Sequence, residues 1–138
     1  MARIMVKIIL LLSIAIFGGC QGKADYMILS NLSYSIKVHS TDVYSDGQER
    51  KAQENLDGGV GLVVAVKMYK GNAAYAKNIH FIDKTRSIYL EQKNLLELKE
   101  IHDARGGTYI LTEQGLFLKL NKNAPNVLIR KWSKSEGI

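Results

Sequence analysis

Three histidines, one cysteine and a cluster of glycines are the residues of this 138-residue chain best suited to chemistry. Metal ligands usually recur two to four positions apart, so that their side chains share one face of a strand or helix. His39, His80 and His102 are each isolated: none has a second histidine two or four positions away, and no H-E-x-x-H pattern occurs. His102-Asp103 sets a base beside a carboxylate, and serines are plentiful, but none lies in a G-x-S-x-G frame. Without that frame an adjacent His-Asp is more often a surface pair than part of a nucleophile relay. Gly58-Gly59-Val60-Gly61 precedes an apolar stretch. Phosphate-cradling glycines instead follow a strand and open a helix, so this run reads as a turn entering a strand. A lone Cys excludes a disulfide framework and cannot supply the thiolates of a structural zinc site. No catalytic, cofactor-binding or metal residue is assigned, and the chain is read as a non-enzyme.

Cys20 remains, and its surroundings give it a different chemistry. Met1 to Lys7 carries Arg3 and Lys7 and no acid; Ile8 to Phe17 is apolar except for Ser13; Gly18-Gly19-Cys20 follows. Ten helical residues rise about 15 Å, half of a ~30 Å hydrocarbon layer, too short for a permanent span. A basic start, a short apolar middle and small residues before a break make an export signal. With Phe17-Gly18-Gly19-Cys20, the segment resembles the signal peptide of a bacterial lipoprotein, whose lipobox ends in a small residue and then Cys. Phe17 departs from the usual Leu. The resemblance covers residues 1–20 and implies lipidation of Cys20: a diacylglyceryl group on its sulfur, cleavage before it, and a third acyl chain on the freed amine. Two or three acyl chains hold a protein stably on a bilayer, where one holds it marginally.

Processing would remove residues 1–19 with Arg3 and Lys7, lowering the net charge of +6 by two. The remaining basicity is mild, and nucleic acid is not an expected partner. Residues 20–25 are small and polar, a lipid-anchored tether reaching at most about 17 Å beyond the Cys. The body, residues 26–138, is thus expected close to a membrane as one domain. By resemblance to enterobacterial lipoproteins, Gln21 lacks the inner-membrane retention Asp, which implies the outer membrane, facing the periplasm.

Within that domain the apolar spacing favours strands. Leu32, Tyr34, Ile36 and Val38 alternate with polar residues, and Val60 to Tyr69 is β-branched and apolar on both faces, the pattern of a central strand. Gln48 to Leu56 reads as a short exposed helix, and Ser40 to Gly59 as a polar segment. Ile79–Ile82 and Ser87–Leu90 flank a four-residue connection; Tyr109–Thr112 and Leu116–Leu120 flank Glu113-Gln114-Gly115 as a second hairpin. Asn94 to Asp103 fits a helix or, less well, a strand, and Val127–Ile129 leads to Trp132 as a last strand. The fold class expected is mainly β, with α+β open: a small antiparallel sheet or sandwich with one or two short helices behind a cleaved signal peptide.

Arg130-Lys131-Trp132-Ser133-Lys134 joins cations to an indole, which suits either a membrane interface or a strand end. Tyr26, Tyr44, Tyr69 and Tyr75 fall near expected strand ends, where exposed phenols would suit a protein interface. The first functional reading is a non-catalytic accessory or assembly factor of an envelope complex, of secretion, pilus or transport type. Its partners are the membrane, through Cys20, and another envelope protein. The alternative is a periplasmic immunity or inhibitor protein neutralising a toxin or lytic enzyme, with Ser40–Gly59 as an inserting loop. A blocker of a cationic enzyme needs an acidic face, and the densest acidic run, Glu97, Glu100 and Asp103, is interrupted by Lys99.

Overall fold

A computed structural model describes residues 23–121 and 123–134. The expected signal peptide and Cys20 lie outside the described residues. The described residues form ten strands and one helix: β1 (Tyr26–Ser30), β2 (Ile36–Tyr44), β3 (Glu49–Leu56), β4 (Gly61–Val64), β5 (Ala74–Asp83), β6 (Arg86–Leu90), α1 (Gln92–Arg105), β7 (Thr108–Thr112), β8 (Gly115–Lys119), β9 (Val127–Lys131) and β10 (Ser133–Lys134). The mainly-β expectation holds, with strand making up 52% of the described residues.

Two five-stranded sheets form, in the orders β4-β1-β7-β8-β9 (sheet 1) and β10-β6-β5-β2-β3 (sheet 2). All neighbours are antiparallel except β1 and β7. Period-two alternation turns one face of each sheet inward, and both inner faces feed one core. Ile28, Tyr109 and Leu118 form a row across sheet 1, and Val38, Phe81 and Ile88 a row across sheet 2, all in one buried cluster. The chain crosses from sheet 1 to sheet 2 at Trp132, between β9 and β10.

The ambiguous 94–103 segment is helical. Asn94 Oδ1 accepts the Glu91 backbone N–H at 2.9 Å, satisfying a donor at the helix start. At the other end Gly106, at φ 72°, donates its N–H to His102 O. Leu95 and Leu98 enter the core, and two buried phenols from sheet 1 grip this helix. Tyr26 donates to Leu95 O at 2.9 Å and Tyr109 to Leu98 O at 2.6 Å, while their rings meet edge-on at 5.3 Å.

Three expectations are corrected. Gln48–Leu56 is no helix: Asp46-Gly47, with Gly47 at φ 85°, closes a tight turn and lays Glu49–Leu56 along β2 as an edge strand. Helix-favouring side chains yield here to a complete ladder on a neighbouring strand. The Val60–Tyr69 stretch supplies only the short β4, at an edge rather than the centre of sheet 1; the chain leaves the sheet at Ala65. Tyr26–Ser30, not foreseen as a strand, takes an interior place instead. Finally, the first hairpin has a two-residue turn, Lys84-Thr85, because Asp83 and Arg86 still pair.

Gly58 is required by close approach, since a Cβ there would overlap the carbonyl oxygen of Leu32. Gly115, at φ 141°, meets the Arg130 carbonyl in the same way, so β9 lies flush against β8.

Candidate functional site

Outward side chains of the two sheets differ in kind. On sheet 2, cross-strand register lines up Gln53, His39, His80 and Tyr89 across β3, β2, β5 and β6. A groove of about 570 Å³ lies over this row, bordered also by Lys51 and Asn78. A second, of about 430 Å³, shares His39 and Gln53 and extends to Lys37. Two histidines isolated in sequence are therefore side by side. No spacing rule reveals that pairing, which depends on how β2 and β5 align. His80 packs edge-on against Tyr89 at 5.4 Å, and its pKa is lowered, first by burial and then by His39. The Nε2 of His39 is buried without a hydrogen-bond partner. Among the described residues no three His, Cys, Asp or Glu side chains gather around a point where a metal would sit.

Sheet 1 presents the opposite character. Its outward row is Gly61, Leu29, Ile110, Phe117 and Leu128, one residue from each of its five strands, with Met27 and Val63 alongside. Ile110, at the centre, is 9% exposed and Leu128, at the β9 edge, 42%. Exposed lysines flank the row: Lys119 pairs with Thr108 on one side of it, and Lys131 with Gly115 on the other. An apolar strip leading to an open sheet edge is a surface for another strand. β3, the outer strand of sheet 2, instead carries Glu49, Arg50 and Lys51, the charged side chains that keep edges from pairing.

His102 borders a cavity of about 320 Å³ with Ala24, Asp25 and Thr108, and its Nδ1 is buried without a partner. Asp103 does not orient it. That carboxylate pairs with Lys99, whose hydrogen bond holds it below its usual range. The Gly58–Gly61 run is the turn entering β4, where Gly59 donates to Ser30 O and Val60 to Asp57 O. Trp132 turns into the fold: its indole N–H donates to Thr112 O at 2.8 Å, its ring lies 4.7 Å from the Arg86 guanidinium, and it packs on the core. Tyr26 is likewise structural, whereas Tyr89 is 45% exposed on the sheet 2 row.

The start of the described chain is gripped. Lys23 and Asn72 exchange two hydrogen bonds, backbone N–H to Oδ1 at 2.7 Å and Nδ2 to backbone O at 2.9 Å. Asp25 accepts the Val66 N–H at 2.8 Å and the Tyr69 hydroxyl. Burial first, then that carboxylate, pushes the Tyr69 phenol up to about 12. Residues 23–25 thus form a neck fastened to the Ala65–Ala73 loop. Comparison with protein families, characterised proteins and solved structures finds no match.

Proposed function

We propose that this chain is a membrane-anchored lipoprotein acting non-catalytically as an accessory or assembly factor of an envelope complex, held by acyl chains on Cys20 at the periplasmic side of the outer membrane. The observation that carries the docking role is the apolar row Leu29–Ile110–Phe117–Leu128, ending at the open edge of β9. The occupant it fits is an exposed strand of another envelope protein, pairing along β9, placing apolar side chains on the row and carboxylates near Lys119 and Lys131. Backbone hydrogen bonds supply affinity in such strand addition, and the row and its lysines supply selectivity. The inhibitor alternative gains nothing from the fold, because Ser40–Gly59, its candidate inserting loop, is largely paired strand.

The test is site-specific photo-crosslinking in the membrane-bound protein, with the probe at Leu128 or, as control, at Lys51. One envelope protein captured from Leu128 and not from Lys51, with the capture lost in Phe117→Glu, is the expected result. Crosslinks to a second copy, or to the protein's own leader, would show the row to be filled otherwise. Equal labelling from both positions would remove the basis for a docking face.

A further inference from the structure

The grip on the neck fixes which end of the body faces the anchor, and that end is basic. Tyr69 gathers two of its cations: Lys23 Nζ lies 4.9 Å and Lys67 Nζ 5.2 Å from the centre of its ring. Met68 and Lys70 follow in the same loop, both exposed, Met68 to 37%. The helix also terminates here, since His102 and Gly107 border the same cavity as Ala24 and Asp25. That places exposed Arg105 at this end, and exposed Lys119 with it, through the pairing with Thr108. Two of the acids nearby are already engaged, Asp25 by Val66 and Tyr69 and Asp103 by Lys99.

We infer that this neck end, Lys23, Lys67, Lys70, Arg105 and Lys119 around Met68, is a second membrane contact that binds anionic phospholipid headgroups and sets the body upright on its anchor. The inference rests on the lipoprotein reading. Lys23 is the third residue after Cys20, so the backbone of an acylated Cys20 lies at most about 11 Å of chain from the gripped neck. That distance is close to the Debye length of about 8 Å at physiological ionic strength, so these cations feel the surface potential of the bilayer. Met68, between two lysines, supplies the apolar tip that enters the headgroup layer. Attraction to an anionic leaflet changes the partition roughly fivefold per lysine.

The experiment uses the protein recovered from cell membranes and reconstituted through its own anchor. A nitroxide on Met68→Cys reports proximity to a paramagnetic chelate carried on lipid headgroups. Relaxation should be stronger on vesicles containing phosphatidylglycerol than on pure phosphatidylcholine. It should weaken with added salt and with Lys67→Gln/Lys70→Gln. Equal relaxation on both compositions at every salt concentration overturns the inference while leaving the anchor intact. Should mass spectrometry find Cys20 unmodified, the anchor reading fails by itself. Pelleting of the soluble chain with phosphatidylglycerol vesicles then decides the matter: a loss of roughly twenty-five-fold in the double variant supports the headgroup contact, and no loss refutes it.

Discussion

Tyr26→Phe and Tyr109→Phe, singly and together, test how the helix is joined to the sheets. Each substitution removes one hydroxyl and leaves the ring, so the edge-on contact between the two rings survives. The lost bonds are the buried ones to Leu95 O and Leu98 O, at 2.9 and 2.6 Å. Both carbonyls lie inside the helix and keep their intrahelical donors four residues on, so no acceptor is stranded. The loss is then that of an ordinary neutral hydrogen bond, about 1 kcal/mol each, and about 2 kcal/mol for the pair. For a body of this size that lowers Tm by roughly 4 °C per substitution. The same phenols give an alkaline signature. Burial pushes Tyr109 up to about 12, and burial, then Tyr109 and Asp25, raise Tyr26 further. Because the folded values exceed the unfolded one of about 10, this stability is whole below pH 10 and is lost as pH rises towards 12 and beyond. Thermal melts followed by circular dichroism, repeated up the alkaline range, read both effects. A double variant melting with the native protein at neutral pH, or one unfolding as steeply in alkali, would refute the latch.

Asp42 is buried at 6% exposure, and burial raises its pKa, opposed by a hydrogen bond from Ser40. Its folded value lies above its unfolded one, so stability falls as pH rises through it; Asp42→Asn should raise Tm at neutral pH and flatten denaturant midpoints between acid and neutral pH. Arg86 pairs at 2.9 Å with Asp83, itself 4% exposed, so Arg86→Ala should destabilise by about 3 kcal/mol, and adding Asp83→Asn should recover part of that by removing the stranded charge; a double variant no more stable than Arg86→Ala in urea titration contradicts this. Cys20→Ala should shift the protein from the membrane to the soluble fraction on cell fractionation, and unchanged membrane association would rule out acyl chains as the anchor.

Much of the sheet architecture was legible wherever the periodicity was local. Tyr109–Thr112 and Leu116–Leu120 stand out because alternation and a glycine turn fall within about a dozen residues. Elsewhere the deciding information was distant in the chain. Glu49–Leu56 has helix-favouring side chains and becomes a strand through its register with β2, although Asp46-Gly47 was a turn signal available to be read. Val60–Tyr69 looks central because it is apolar on both faces, yet β4 lies at a sheet edge, with Val64 in the core and Val63 beside Met27 on the outward face. The same reasoning explains the surfaces. His39 and His80 are 41 positions apart and meet only through the β2–β5 register. The row on sheet 1 draws one residue from each strand, so no window of sequence contains it. The basic neck is hidden in the same way, with Lys67, Arg105 and Lys119 arriving from three elements. At Trp132 a basic, aromatic stretch suits either a membrane interface or a strand end, and the structure takes the second, with the indole joining the sheets through Thr112 and Arg86.

The neck and the apolar row constrain one another. Leu29 lies three residues along β1 from Tyr26, where the strand leaves the neck, a rise of about 10 Å. The row runs across the strands, at neighbour spacings of about 4.8 Å, so from β4 to β9 it extends roughly 19 Å. With the neck end on the bilayer, the row becomes a band roughly parallel to the membrane and within a few nanometres of it. A strand added at β9 would run up and down this band, with one end near the headgroups. The partner is therefore expected to expose its pairing strand beside the same membrane, and a protein confined to the middle of the periplasm would not reach it. If Cys20 is acylated and the neck end meets the bilayer as proposed, these three features select one geometry, with the open edge of β9 at the height of a strand presented beside the membrane.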